Sequence, residues 1–374
     1  MTLVFWSCLL VVAFTYAGYP LCMLLLARIA PRPVAARADA ALPTVSVVVP
    51  VHDAEASVAA KLRNLLALDY PDRRIEVLVA CDGCSDGTAD AARGVGDPRV
   101  RVLEFPQRRG KASCLNDAVA SAVGDVLLMV DVRQRIERGA LRALVAHLAD
   151  PAVGVVGGQL RFEDPDTGFA ASVDAYWRYE SAIRQAEAAS GSVVGVSGAL
   201  YAMRRTLFRP LPAETVLDDV LVPMQVAAQG ARVTWQPAAV AWDRASDSVS
   251  GERVRKVRTL AGNLQLVQLA PWLLHPGRNP LWFRFVGHKL LRLAAPWALL
   301  AMGLAALVLA RGHAFYLACA IAAVAGVALV ALVPRVPTLA AVPPVRMLVA
   351  FVHMNLFAAQ AVFAFARGRR LHLW

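Results

Sequence analysis

The sequence predicts an α/β domain carried between apolar helices that cross a membrane. Three observations predict it. Apolar residues fill 57 % of the 374 positions, and the excess gathers at the two ends; ordinary globular chains hold about 45–50 %. Between the ends, short apolar runs alternate with helical spacings, the pattern of a largely parallel sheet covered on both faces. Acidic residues then recur just past those strands.

The first element is residues 3–27, LVFWSCLLVVAFTYAGYPLCMLLLA, which carry no charge. A bilayer core takes about 20 apolar residues of helix. No Lys or Arg precedes the run, so it reads as an anchor over 1–30 rather than a cleaved leader. Arg28, Arg32 and Arg37 follow it and place the next segment, 31–245, on the cytoplasmic side.

Within that segment Val45–Val49 reads as a buried strand. Val58, Leu62, Leu65 and Leu66 then have helical spacing over 55–68. Ile75–Ala80 is a second strand, and Ser85 to Thr88 offer capping side chains. Val100–Phe105 is a third strand, 111–122 a helix, and Val126–Val130 a fourth strand. Residues 246–289 mix Arg and Lys with Leu and Trp, as in helices lying at a membrane surface, or at the edge of the domain itself. Three apolar runs, 290–310, 314–333 and 345–366, form a membrane region over 290–366, followed by a tail, 367–374. Four simple spans put that tail outside, whereas Arg367, Arg369 and Arg370 favour the cytoplasm.

Charge and cysteines narrow the partners. Lys and Arg number 39 against 28 acids, a net charge of +11, which fits an anionic substrate and lipid head groups. No basic block is interleaved with stacking aromatics, so nucleic acid is not expected. The six cysteines are scattered and form no disulfide framework. Cys81 and Cys84 make a CxxC with no second pair beside it.

In open α/β sheets ligands bind beyond the carboxyl ends of the strands. After the first strand come Pro50, His52, Asp53 and Glu55; after the second, Asp82; after the fourth, Asp131. No GxGxxG and no P-loop is present, which argues against a dinucleotide oxidoreductase or an ATPase. The acidic edge suits a nucleotide read through base and ribose, with its diphosphate held by a metal or by cations.

Taken together, VSVVVPVHDAEASV, VLVACDGCSDGTADAA, RRGKASCLNDAV, VLLMVDVRQ, VSGALYAMRR and LDDVLVPMQVAAQGARV resemble the membrane-bound family 2 glycosyltransferases. That group includes cellulose, chitin, hyaluronan and exopolysaccharide synthases. The resemblance covers roughly 44–240. It implies a GT-A fold, a nucleotide-sugar donor (usually a UDP-sugar), a divalent metal (Mg or Mn), and a growing glycan or lipid-linked acceptor. It also implies a bacterial-type inner membrane and leaves room for a homo-oligomer or an export partner.

By position, the resemblance puts Pro50, His52 and Glu55 around the nucleoside, Asp82 on the base, and Lys111 and Arg258 on the diphosphate. Asp131 falls at the metal-binding motif, whose second Asp is replaced by Arg133. An arginine cannot ligate a cation, so either Asp131 holds the metal with help from elsewhere or Arg133 meets the diphosphate and the metal matters less. Asp219 takes the place of the general base, and Asp218 that of an acceptor-orienting or supporting acid. The chemistry requires a base, because an acceptor hydroxyl is a weak nucleophile until its proton is taken. Arg255 and Thr259 stand where processive synthases carry Gln and Trp. That departure counts against long-chain cellulose-type synthesis. Ser197 and Gly198 make either a close backbone approach to the donor sugar or a plain turn. Tyr176 to Glu180 either stack on an acceptor or pack beneath the membrane. Two other classes stay open, a non-catalytic nucleotide-binding regulator and a transporter.

Overall fold

The computed structural model describes residues 1–163, 169–244, 249–336, 338–339 and 342–368. Its first helix, α1 (Thr2–Ile29), is long and apolar enough to cross a membrane. The α/β domain follows: β1 (Val45–Val51), α2 (Glu55–Leu66), β2 (Ile75–Asp82), α3 (Thr88–Arg93), β3 (Val100–Phe105), α4 (Lys111–Ser121) and β4 (Val126–Met129). Next come β5 (Arg135–Ile136), α5 (Ala140–Leu148), β6 (Val153–Glu163), α6 (Phe169–Ala189), β7 (Tyr201–Arg204), α7 (Asp218–Ala228) and β8 (Arg232–Arg244). The long helix α8 (Val249–Leu269) leads to three further apolar helices, α9 (Trp282–Leu309), α10 (Ala314–Leu332) and α11 (Pro343–Ala366).

The eight strands form one sheet in the order β3-β2-β1-β4-β7-β6-β8-β5. The first four are parallel, as their continuous valine and leucine runs predict. The sheet is then mixed rather than largely parallel. β7 runs antiparallel to both β4 and β6, while β6 and β8 are parallel. This reversal has a functional result. In the β4–β7 register Met129 faces Tyr201, so the chain entering β7 arrives at the edge where β4 ends. Ser197 and Gly198, just before β7, therefore meet the residues that follow β4.

Apolar side chains fill both faces of the sheet. On one face Val47, Val49, Val77 and Val79 pack with Leu62, Leu65, Leu141 and Leu144 from α2 and α5. On the other, Val48, Leu78, Leu127 and Met203 pack with Leu115 of α4 and with Leu221 and Met224 of α7. That second layer does not stop at the sheet. Leu266, Leu273, Leu281 and Phe285 belong to it as well. The segment expected at the membrane surface over 246–289 thus contributes to the core of the α/β domain. The first of the three apolar runs lies in a helix that already starts at Trp282.

The membrane-side helices dock on this frame. α1 packs along α9, and α11 along α8 and α6. Buried polar bonds tie α6 to α9. His288 Nδ1 lies 2.8 Å from Glu187 Oε1 and its Nε2 lies 3.0 Å from Glu180 Oε2. Tyr19 donates to Glu187, and Arg292 donates to Glu180. Of the Tyr176–Glu180 cluster, Glu180 is packed against these helices, and Tyr179 donates to the Tyr16 carbonyl at 2.9 Å.

Candidate active site

Four elements bring charged side chains to one point. Lys111 opens α4, just past Gly110, whose φ of 92° is a backbone turn that glycine permits at little cost. Asp131 follows β4. Asp218 and Asp219 form the first turn of α7, where the helix dipole favours negative charge. Lys111 Nζ donates to Asp131 Oδ1 at 2.9 Å and lies 3.2 Å from Asp218 Oδ2. The Gly198 N–H donates to Asp219 Oδ2 at 3.3 Å. A Cβ on Gly198 would stand 3.2 Å from Lys111 Nζ, 3.6 Å from Asp131 Oδ2 and 3.8 Å from Asp219 Oδ2. The chain is bare here so that the three groups can share one wall.

The electrostatics are unbalanced. Burial, and next the charge of Asp218, push the Asp219 carboxyl up to about 6. Asp218 is raised too, by burial in the first place, with Lys111 opposing. Burial works against the Lys111 ammonium, but Asp131 and Asp218 outweigh it and hold its proton tightly. One lysine among three carboxylates leaves negative charge in excess, which favours a proton, a cation, or a reaction that delivers one.

The residues after β1 and β2 lie at the same edge in a different state. His52 Nδ1 is 2.8 Å from the Asp82 carbonyl oxygen. Asp82 is wholly buried, and its two carboxylate oxygens accept the N–H groups of Arg109 and Gly110 at 2.7 and 2.8 Å. It thereby shapes the loop that ends at Lys111, and a ligand base reaches it only if that loop shifts. Glu55 is exposed in the first turn of α2 and accepts the Gly87 N–H at 3.0 Å. Pro50 is buried inside β1, opposite Ala80. His52, Asp53 and Cys84 bring one ligand atom each within 4.8 Å of one another. All six cysteines are free.

Other expected residues fall elsewhere. Arg133 is largely exposed and turns to Asp243, with Nη2 3.7 Å from Oδ2, so it does not join the Lys111 cluster. Ser197 is partly buried, and its Oγ accepts the Ala199 N–H at 3.4 Å. Arg255 and Arg258 lie on α8, both partly buried. The Nε of Arg258 is buried without a hydrogen-bond partner among the described residues.

The metal that the resemblance implies has a fitting ligand in Asp131. Its Oδ1 serves Lys111, while Oδ2 accepts no bond from a described residue. Mg²⁺ is commonly held by one or two carboxylates plus substrate phosphates and water. A single carboxylate oxygen beside a diphosphate fits that habit, and Arg133 adds no ligand.

Two side chains escaped the reading of the sequence, and a third was read only as part of the 246–289 surface stretch. Tyr201 is 1 % exposed, its hydroxyl has no hydrogen-bond partner among the described residues, and burial together with Asp218, Asp219 and Asp131 raises its pKa far above the usual phenol. Its place in the Gly-Ala-Leu-Tyr run was the available signal. Lys61 is buried under the strand-end loop, donates to the Gln134 carbonyl at 2.6 Å, and is pushed down to about 7 by burial against the pull of Asp131. Lys289, on α9, is a charge near Asp219 that comes from a membrane-side helix.

Known proteins bear on this geometry. The profile of the family described as "Glycosyltransferase like family 2" matches residues 43–262. A probable glycosyltransferase, YdaM, of Bacillus subtilis is 25 % identical over 240 residues, covering 60 % of this chain and 56 % of its own. The poly-β-1,6-N-acetyl-D-glucosamine synthase of Staphylococcus aureus is 22 % identical over 213 residues, covering 55 % of this chain and 51 % of its own. The matched part thus spans about half the length of these curated relatives. Among solved structures, a mannosyltransferase of Pyrobaculum calidifontis, in complex with GDP-Man and Mn²⁺, superposes with a TM-score of 0.75 at 24 % identity. That superposition covers 98 % of this chain and 99 % of the other, and it shows a shared GT-A fold.

Proposed function

The chain belongs to glycosyltransferase family 2, and from that premise we propose that it transfers a sugar, with inversion, from a nucleoside-diphosphate donor to a hydroxyl of a membrane-level acceptor. The acceptor is a growing glycan or a lipid-linked sugar. The donor is a UDP-sugar on the resemblance; the solved relative with GDP-Man makes a GDP-sugar the alternative to test. The observation that carries the reading is the meeting of Lys111, Asp131, Asp218, Asp219 and the Gly198 N–H at one edge of the sheet.

Each residue then has a task. Asp219 takes the proton of the acceptor hydroxyl as its oxygen bonds to the anomeric carbon. The bond from that carbon to the diphosphate breaks on the opposite face, and the nucleoside diphosphate leaves with the electron pair. A carboxyl held at about 6 is well matched to this task, being ionised near neutrality yet basic enough to accept the proton. The Gly198 N–H fixes its direction. Asp218 and Asp131 keep Lys111 charged, and Lys111 and Arg258 face the developing diphosphate charge. The bare backbone at Gly198 leaves room for the donor sugar. Asp131 would hold a divalent cation, which when bound supplies further neutralisation of the diphosphate. His52 and Glu55 wall the nucleoside, with Pro50 buried behind them in β1, and Asp82 holds the 106–110 loop against it. The domain faces the cytoplasm of a bacterial-type inner membrane.

The test is a donor screen on the full-length protein in lipid vesicles. Released nucleoside diphosphate is the readout, and labelled product is partitioned between solvent-extractable lipid and polymer. One or two donors are expected to turn over, and Asp219→Asn is expected to stop transfer while still binding the nucleotide. Equal turnover by wild type and Asp219→Asn would overturn the reading.

A further inference from the structure

Lys289 has a setting that the reaction above does not use. It is partly buried in α9 and forms no hydrogen bond or ion pair with any described residue. The charges around it are Arg184, Glu180, Arg292 and Glu187. The two acids are already engaged: Glu180 by His288 and Arg292, Glu187 by Tyr19 and His288. Burial alone would raise both carboxyls, yet Arg292 and His288 hold Glu180 well below its usual range, and His288 holds Glu187 below. Both acids thus have partners of their own, although Glu187 Oε2 is left without one among the described residues, and Lys289 is bonded to neither acid.

Its position is fixed by the frame that fixes the proposed base. Arg284, one turn earlier on α9, donates to the carbonyls of Glu187, Ser190 and Ser192 at 2.6, 3.0 and 2.5 Å. That stretch leads through Val193 to Val196, whose N–H donates to the Asp219 carbonyl at 2.9 Å, and on to Gly198. The Lys289 charge is among those that hold the Asp219 carboxyl down. The helix is locally wide over Val286–Leu290, a π turn of the kind common at functional sites.

Depth points to the ligand. Lys289 lies seven residues into α9, about 10 Å along it at 1.5 Å per residue. After Arg292 the helix carries no charge through Leu309. Lys289 thus stands where the apolar span begins, at the level of lipid phosphates.

We propose that Lys289 binds the phosphate of a lipid-linked acceptor, so that the substrate is a sugar joined to a membrane lipid through phosphate or diphosphate. The sugar hydroxyl meets Asp219 while the linking phosphate meets Lys289. The inference rests on the transferase reading above and names its acceptor class.

The experiment uses the full-length protein in neutral-lipid vesicles with its best donor. Acceptors are farnesyl-diphosphate-linked glucose, mannose and N-acetylglucosamine, each paired with the uncharged farnesyl glycoside of the same sugar. Wild type is expected to show kcat/KM at least tenfold higher for the charged member of one pair, carried by KM. Lys289→Ala is expected to collapse that ratio at least tenfold, and Lys289→Arg to restore most of it. Loss of equal size on both members, with the ratio unchanged, would mean that Lys289 acts only through Asp219 and would overturn the proposal. So would a wild-type preference for the uncharged glycoside. If no acceptor or water supports donor turnover by wild type, the transferase reading itself has failed, and this inference goes with it.

Discussion

The two halves of the sheet's carboxyl edge are built on opposite principles. Past β1 and β2, polar side chains are spent on their own loops: His52 on the Asp82 carbonyl, Asp82 on two main-chain N–H groups, and Glu55 on Gly87. Past β4 and before β7 they are left wanting. Asp131 and Asp218 share one lysine, Asp219 has the Gly198 N–H, and the Tyr201 hydroxyl has no partner among the described residues. The first half is satisfied within its own loops. The second leaves buried groups unmatched, which costs stability, and proteins concentrate chemistry at such places.

Four measurements probe the difference between the two halves. The largest effect belongs to Asp219→Asn. Transfer should fall by roughly 10²–10⁴, the usual worth of a positioned base. The variant should also melt at a higher temperature. Asp219 has a folded-state pKa above its unfolded value, so its ionisation costs stability. That cost is complete above pH 6 and gone near pH 4. Melting curves at pH 7.5 and pH 4 check both the sign and the window. A variant that melts lower at pH 7.5 would show that the second half is not strained.

Lys111→Ala should come next. Removing one partner of a buried ion pair typically costs about 3–5 kcal/mol, because the other charge stays buried. Here two are stranded, Asp131 and Asp218. Denaturant unfolding gives the cost, and donor KM should rise with it.

The third effect is the pH profile. If Asp219 must be ionised to act, kcat/KM should fall tenfold per unit below about pH 6 and level off above it. A profile flat down to pH 4.5 would remove the raised carboxyl from the mechanism.

The smallest effect should be Arg133→Ala. Its guanidinium is largely exposed and 3.7 Å from Asp243, an arrangement worth about 0–1 kcal/mol. Less than a twofold change in transfer is expected. A tenfold loss would bring Arg133 to the diphosphate and redraw the boundary between the halves.

Much of this was legible in the sequence because the signals are local. Val45–Val51 and Ile75–Asp82 announce parallel strands by their unbroken apolar runs, and the candidate residues behind them can be listed at once. The apolar helices declare themselves by length. What stayed hidden is non-local. Four residues, Tyr201–Arg204, say nothing about direction, so the antiparallel β7 that brings Gly198 to Asp131 could not be read from them. Asp82 was expected to face a base, because spacing cannot tell whether a carboxylate will be consumed by a loop 27 residues later. Lys289 was read only as part of the basic 246–289 stretch, because three of the charges around it, Glu180, Arg184 and Glu187, come from α6, about a hundred residues earlier. Arg133 was weighed as a diphosphate contact for its place beside Asp131, and Asp243, over a hundred residues on, decides where it turns.

The apolar layer that runs from the sheet into Leu266, Leu273, Leu281 and Phe285 also bears on how such an enzyme can be taken apart. A gene fragment stopped at residue 245 would lose part of its own interior and uncover Val216 and Leu217, which lie against Gly262 of α8. The helices that follow the sheet are therefore no detachable handle. Swapping them for a relative's would mean recutting the catalytic half to match.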